Sequence, residues 1–295
     1  MKVGFFGDGP WAHRALASLL KMPGLNVDFV CVRHDKQDLN LLDIAKENNV
    51  PSLSVANINT EEFMSQASKH CSDLFVSMSF NQIFKSDLYS FPSSGTINCH
   101  AGKLPFYRGR NVLNWALIND ETEFGITVHY VDSGIDTGDI IVQECFGITD
   151  SDNYGTLLEL SYKKCPELLV VAIEQIMSGR VQPVSQQTIH PTGFYCSRRL
   201  PGDEIIQWPS STSREIFSFV RALSKPGPQA LTFCKANAVR INRVELIPGS
   251  PIFKGIPGAI LSKDAATILV KTTDSFVRVS EWTSKEVLRA GDRFI

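Results

Sequence analysis

Lys2-Val3-Gly4-Phe5-Phe6-Gly7-Asp8-Gly9-Pro10-Trp11-Ala12 runs from an apolar burst through a glycine-rich turn into residues 11–21, where Ala15, Leu16, Leu19 and Leu20 share one helical face. This reads as strand, tight turn and helix. The same alternation continues with a strand over 27–33, helices over 41–48 and 61–69, and a strand over 73–79 around Leu74-Phe75-Val76. Strands separated by helices predict βαβ units and a parallel sheet, an α/β class. Such sheets bind ligands at the carboxyl ends of their strands. Further along, the pattern predicts a strand over 96–99, a helix over 110–119, and strands over 125–131 and 139–145 joined by the glycine-rich loop 132–138. The amphipathic stretch Tyr154–Met177 reads as a long helix bent at Pro166 and ended by Ser178-Gly179.

Near residue 205 the texture changes. Thr212-Ser213-Arg214-Glu215 fits a capping box opening a helix to Leu223, and Lys225-Pro226-Gly227-Pro228 breaks it. Short strand-like runs follow at 238–241, 259–261, 268–272 and 276–281. They predict a small β-barrel or sandwich. The expected division is therefore 1–205 for a catalytic α/β domain and 206–295 for a β-rich domain.

Composition narrows the function classes. The 295 residues are 43% hydrophobic and 20% charged, with a formal net charge of −2 and a pI near 6.3. A polyanion-binding surface is not expected from that balance. The first residues lead directly into the first strand, so no secretory signal is expected, and no apolar run approaches membrane-span length. The seven cysteines are odd in number and form no C-x-x-C pair. They read as reduced thiols in a cytoplasmic protein. No histidine pair has metal-ligand spacing.

Gly7-Asp8-Gly9-Pro10-Trp11-Ala12 matches G-x-G-x-x-A, a form of the dinucleotide fingerprint. Pro10 and Trp11 would crowd a pyrophosphate, and Asp35, two residues beyond Arg33, is the nearest acid to where a ribose would sit. A plain β–α turn and a phosphate-binding helix start both remain open on these residues alone.

The segment 96–143 carries more chemistry. Asn98 and His100 are two apart, so on a strand both face the same side. Asp136 lies in a loop with Gly134 and Gly138 and can fold back toward that edge. An amide can donate to an oxygen that becomes negative, an imidazole can take a proton or help hold the oxyanion, and a carboxylate can fix the imidazole's tautomer. These roles suit attack by an amine on an acyl carbon. Taken singly, a lone Asn or His is more often a satisfied structural residue.

Thr96-Ile97-Asn98-Cys99-His100-Ala101-Gly102-Lys103-Leu104-Pro105, followed by Tyr107-Arg108-Gly109, closely resembles the signature of the folate-dependent formyltransferases. That superfamily includes methionyl-tRNA formyltransferase, glycinamide ribonucleotide formyltransferase and the amino-sugar N-formyltransferases. Asp136-x-Gly138-x-Ile140, 36 positions after His100, matches the second motif. Residues 79–83 resemble a segment of the folate pocket. The likeness is dense over 74–145, weaker before it, and detectable again over 213–232. It implies a Rossmann-like formyltransferase domain, a smaller OB-like C-terminal domain, and 10-formyltetrahydrofolate as donor. No metal is implied. By the same resemblance Asn98, His100 and Asp136 form the catalytic trio, while Ser79, Phe80, Asn81, Gln82, Ile83 and Asp132 line the folate site. With the trio intact, a chain that only binds its ligand is disfavoured.

For the acceptor, the resemblance places the turn at Gly9, Pro10 and Trp11 near the substrate, which removes the nicotinamide reading. Lys103, Tyr107, Arg108, Gly109, Arg110 and Asn111 complete the expected acceptor set. Two arginines near a helix start suit a phosphate or diphosphate, though solvated surface arginines would look the same. The run 108–117 resembles the sugar-nucleotide enzymes more than the tRNA enzyme, and the net charge of −2 points the same way. The implied acceptor is a deoxy amino sugar carried on dTDP or UDP, as in O-antigen, lipopolysaccharide or other surface-glycan synthesis. Methionyl-tRNA is the alternative. A homodimer is among the states the sequence allows, and neither a membrane nor a nucleic acid is an expected partner.

Overall fold

The computed structural model describes residues 1–295. Contacts divide the chain into two compact units. The first comprises Met1–Arg110, Phe124–Phe146 and Glu159–Cys196, and the second Asn111–Glu123, Gly147–Leu158 and Ser197–Ile295. No helix is long and apolar enough to cross a membrane.

In chain order the elements begin with β1 (Lys2–Gly7), α1 (Gly9–Leu19), β2 (Asn26–Cys31), α2 (Leu39–Glu47), β3 (Ser52–Leu53), α3 (Glu61–Ser68), β4 (Leu74–Met78), α4 (Ser86–Tyr89) and β5 (Thr96–His100). Next come β6 (Arg108–Gly109), α5 (Val112–Ile118), β7 (Glu123–Tyr130), β8 (Ile140–Gly147), α6 (Tyr154–Met177), α7 (Gln186–Ile189) and β9 (Tyr195–Cys196). The remainder is α8 (Ser213–Leu223), β10 (Ala230–Cys234), β11 (Asn237–Glu245), β12 (Ile260–Lys263), β13 (Ile268–Lys271) and β14 (Phe276–Ser284).

The main sheet has the order β3-β2-β1-β4-β5-β7-β8. Pairing is parallel from β3 through β5, as the strand–helix alternation predicts, and β5 pairs β7 antiparallel. The sheet is therefore mixed. The antiparallel step falls between β5 and β7 although α5 lies between them in sequence: parallel pairing needs a crossover, but a helix in the connection does not by itself make the pairing parallel. The fold is the expected Rossmann-like α/β architecture with a β-rich C-terminal sheet.

Burial explains why the central strands read as continuous apolar runs. Phe6, Phe29, Phe63 and Phe75 are fully buried on one face of the first unit. Phe6 sits at the centre, with Phe29, Phe75, Phe80 and Phe84 around it at ring distances of 4.9–5.6 Å. Edge-to-face aromatic contacts of this kind add to the area burial of each ring. Phe80 is only half-buried, so the outer layer of this cluster is also a surface available to a ligand.

In the second unit, α8 lies on a five-stranded antiparallel sheet of order β10-β11-β14-β13-β12. The expected capping box is present: Thr212 and Glu215 exchange side-chain-to-backbone bonds. Strand β10 was not legible, because Gln229 and Lys225-Pro226-Gly227-Pro228 immediately before it carry strong turn chemistry. Within the same unit, Arg214 and Arg221 both reach Asp120, and both guanidinium groups lie over the Phe217 ring.

Candidate active site

Strand β5 ends with Asn98 and His100 on one face. Its antiparallel register places Asn98 opposite His129 and His100 opposite Thr127. Directly paired residues on antiparallel strands share a face, so four polar side chains gather there. Thr127 donates its hydroxyl to the Gly102 carbonyl at 2.7 Å, tying down the turn that follows β5. Gln143 supports the same hydroxyl from β8 at 2.8 Å.

That turn needs glycine. A Cβ on Gly102 would lie 2.5 Å from both Nε2 of His100 and the carbonyl oxygen of Tyr107. In its absence, His100 Nε2–H donates to the Tyr107 carbonyl at 2.7 Å. Only a protonated Nε2 can make that bond, so the neutral ring carries its lone pair on Nδ1. Nδ1 faces Oδ2 of Asp136 at 3.7 Å.

Asp136 is held between two imidazoles. Its other oxygen, Oδ1, lies 3.5 Å from Nε2 of His129, and the Gly109 N–H donates to Oδ2 at 2.8 Å. His129 Nδ1–H donates to the Tyr130 carbonyl at 2.7 Å, which leaves Nε2 as the nitrogen shared by Asn98, at 3.3 Å, and Asp136. Burial alone would raise the Asp136 carboxyl. Charge on His100 when that ring is protonated, a bond from and charge on His129 when its Nε2 carries a proton, and the Gly109 N–H outweigh it and hold the group below the ordinary carboxylate range. Asp136 is thus a fixed carboxylate with its side chain 13% exposed.

Part of this group opens onto a cavity of about 460 Å³, with His100, buried behind Asp136, outside its lining. Asn98, His129 and Asp136 line it beside Gly109, Arg110, Tyr195 and Cys196. An apolar wall is made by Phe80, Ile83, Phe84, Val131 and Ile135, with Asn81, Gln82 and Asp132 among them. Gln82 is braced by the Ile58 N–H and the Val55 carbonyl, and Asp132 accepts from Gly134 N–H. Ser79 lies outside the lining, at a positive φ of 58° that turns the chain from β4 into this wall. The Cys196 thiol is pushed up to about 11 by burial and stays protonated at neutral pH.

The expected acceptor residues separate into different environments. Arg110 is exposed and lines the cavity. Arg108 is 6% exposed and points inward. Its guanidinium donates to Gln186 and to the Thr192 carbonyl and lies 5.4 Å from the Tyr195 ring centre. Gly109 has φ +91°, and a Cβ there would lie 2.6 Å from the Cys196 carbonyl across the β6–β9 pair. Tyr107 is buried against Phe194, and Lys103 packs beside Gly125. Asn111 accepts from the Arg199 N–H at 3.0 Å.

The turn after β1 is likewise engaged. Gly9 N–H donates to Asp38 at 2.7 Å, Trp11 Nε1–H donates to Ser161 at 3.1 Å, and Pro10 lies exposed between them. None of these three lines the cavity. Asp35, the acid nearest a ribose position by sequence, is tied to Arg33 and Asn81.

The sequence matches the Formyl transferase family model over residues 1–173 and its C-terminal domain model over residues 200–292. The chain belongs to the formyl transferase family. It is an N-formyltransferase, and its donor is a formyl-tetrahydrofolate. Methionyl-tRNA formyltransferase of Syntrophomonas wolfei is 31% identical over 291 residues, spanning 95% of this chain and 90% of that one. The enzyme of the same name from Azobacteroides pseudotrichonymphae is 32% identical, spanning 94% and 90%. Among solved structures, an N-formyltransferase from Helicobacter canadensis in complex with folinic acid and dTDP-3-aminofucose superposes with a TM-score of 0.70 at 21% identity, covering 96% of this formyltransferase and 100% of that chain. At that identity the likeness is one of fold.

His129, Thr127, Tyr195 and Gln186 were not singled out by sequence. His129 and Thr127 alternate on a legible strand, but their relevance depends on which neighbour that strand pairs with.

Proposed function

We propose that this formyltransferase moves the formyl group of 10-formyltetrahydrofolate onto the amine of a nucleotide-linked deoxy amino sugar. The observation that carries the acceptor class is Arg110, an exposed cation on the wall of the cavity that Asn98 and Asp136 also line, with Tyr195 elsewhere in the same lining. A single guanidinium with an aromatic ring in the same lining suits a diphosphate and its attached ring. The apolar wall from Phe80 to Phe84 and Ile135 suits the flat pterin end of the donor, with Gln82 and Asp132 offering polar groups at its edge. Within this reading residues 1–205 are the catalytic domain and 206–295 the C-terminal domain.

Asn98 keeps one amide N–H on His129 and donates the other to the formyl oxygen as that oxygen becomes negative. The free sugar amine attacks the formyl carbon to give a tetrahedral intermediate, and His100 accepts the amine proton at Nδ1, the nitrogen not committed to the Tyr107 carbonyl. The bond from the formyl carbon to N10 of the folate then breaks, N10 takes up that proton from His100, and tetrahydrofolate leaves as the sugar formamide forms. Asp136 lies on that side and stabilises the charged ring. A carboxylate that already accepts the Gly109 N–H is a weak base at neutral pH, which favours His100 over Asp136 as proton acceptor. The fixed N–H donors of this chain suffice for the charge that develops.

Methionyl-tRNA is the second reading. The curated relatives at 31–32% identity carry that name, and charge is unevenly distributed. Residues 206–295 hold 13 Lys and Arg against 7 Asp and Glu, while residues 1–205 hold 16 against 24. A basic C-terminal region favours a polyanion. The test is a panel of dTDP- and UDP-linked amino sugars, with charged initiator tRNA as one member. Each is incubated with 10-formyltetrahydrofolate and scored by mass for one added formyl group. Formylation of a sugar nucleotide supports the first reading, and a salt-sensitive gain on the tRNA alone replaces it with the second.

A further inference from the structure

We infer that Gln186 is a positioning residue for Asp136, joined to it through a buried amide–guanidinium clamp with Arg108. The inference rests on the reading of Asp136 given above and adds a residue outside the cavity lining.

Gln186 opens the short helix α7 and is 1% exposed. All four hydrogen-bonding positions of its amide are used. Oε1 accepts from Nε and Nη2 of Arg108 at 3.0 and 2.7 Å. Nε2 donates to the carbonyls of Asp136 and Gly138 at 2.9 and 2.8 Å. The amide can be turned only one way, since Arg108 presents only donors and the two carbonyls only acceptors.

Each end of the clamp bears on Asp136. Nε2 grips the backbone of Asp136 itself, which is held at φ +54°, in a loop that must keep that shape for the carboxylate to reach both imidazoles. Oε1 fixes Arg108, and the next residue is Gly109, whose N–H donates to the Asp136 carboxylate. Arg108 is anchored on its far side by the Thr192 carbonyl. Val184 pairs with Ile140 through two backbone bonds of 2.8 and 2.9 Å, which registers the approach to Gln186 against the end of the loop. One side chain therefore sets both the backbone and the carboxylate of Asp136, between His100 from β5, His129 from β7 and the Gly109 N–H from β6.

The test compares Gln186→Glu, Gln186→Leu and Asp136→Asn with the parent protein. Gln186→Glu retains an acceptor for Arg108 and the side-chain volume, but sets an oxygen against the two carbonyls. Melting temperature and binding of 5-formyltetrahydrofolate confirm that the variants fold. The expected result is a fall in kcat of about 10-fold or more, in the range a misplacement of about 1 Å produces. KM for the formylated sugar nucleotide and for 10-formyltetrahydrofolate should stay unchanged. A second readout needs no acceptor: the Asp136 carboxyl, followed by ¹³C NMR, should titrate at higher pH in Gln186→Glu than in the parent. Parental kcat and an unmoved Asp136 midpoint in a folded Gln186→Glu would overturn the inference. Parental turnover by Asp136→Asn would instead overturn the reading of Asp136 beneath it. An inactive Asp136→Asn beside a fully active Gln186→Glu would reject the clamp alone.

Discussion

The side-chain amide nitrogen of Asn98 lies 3.3 Å from Nε2 of His129, across the antiparallel step between β5 and β7. His129 holds its proton on Nδ1, bonded to the Tyr130 carbonyl, so Nε2 is free to accept from Asn98. A half-buried amide aimed at a neighbouring ring is already ordered before any substrate arrives. Little reorganisation is then needed when it meets a developing negative charge.

Replacing Asn98 by Ala should lower kcat by about 10²–10³, the usual effect of removing an oxyanion donor. His100→Ala and Asp136→Ala should each lose about 10²–10⁴, as for a general base and its support. His129→Ala should lower kcat as well, because it releases both Asn98 and one side of Asp136. The effects should fall well short of additive, since these groups act on one transition state. Steady-state rates on the formylated acceptor check this, and near-parental turnover by any of the first three variants would remove that residue from the mechanism.

Arg110 and Arg108 should respond in opposite ways. Arg110→Ala should raise acceptor KM and leave kcat and the melting temperature close to the parent, as for lost uniform binding. Arg108→Ala strips Gln186 and the Thr192 carbonyl of their buried donor. It should cost roughly 1–3 kcal/mol of stability, the usual effect of leaving buried polar groups unsatisfied. Thermal melts beside initial rates distinguish the two, and an unchanged acceptor KM in Arg110→Ala would move the phosphate contact elsewhere.

Gly102→Ala tests the His100 tautomer. The added methyl enters the space between Nε2 of His100 and the Tyr107 carbonyl, 2.5 Å from each. His100 must then turn away, freeing Nε2 and displacing Nδ1 from Asp136. Turnover should fall about as far as in His100→Ala, while 5-formyltetrahydrofolate binding is retained. A fully active Gly102→Ala would show that the Tyr107 bond is dispensable.

Asp274 gives a pH signature away from the site. Its carboxylate accepts from the Ser213 and Ser275 N–H groups and from the Ser213 and Thr272 hydroxyls at 2.8–3.0 Å. Burial works against the charge, but these four bonds outweigh it and lower the group from 3.8 to about 2. A depressed carboxyl contributes stability above its unfolded value, and that contribution is lost as the pH falls from about 4 toward 2. Asp274→Asn should therefore lose roughly 1 kcal/mol at pH 6, after discounting for solvent screening, and nearly nothing at pH 2. Urea titrations at the two pH values measure the difference.

The fold was legible because its signals are local. Strand Lys2–Gly7 and helix Tyr154–Met177 appear at the residues the periodicity indicated, and the Thr212–Glu215 box opens α8 as its spacing requires. Asn98 and His100 could be placed on one face from a period of two. The antiparallel turn of β7 could not be read, because pairing direction depends on a neighbour remote in sequence, and His129 was missed with it. Arg108 and Arg110 look alike in the sequence, and only burial tells them apart. Gln186 gave no signal, since a glutamine becomes informative only when its four partners, from two other parts of the chain, are known.

The carboxylate of Asp38, bonded to the first N–H of α1, has a further consequence. In open α/β folds that helix start is the place where a diphosphate ordinarily comes to rest. Here the berth has a resident, tethered by the chain and present at an effective concentration of the order of millimolar or above. It is also charged, and it is shared with His13 at 2.7 Å. A free dinucleotide would have to evict this occupant before making its first contact. Competition from within the chain, more than any missing glycine, thus explains how a scaffold with the outline of a dinucleotide site is left free to use its other crevice.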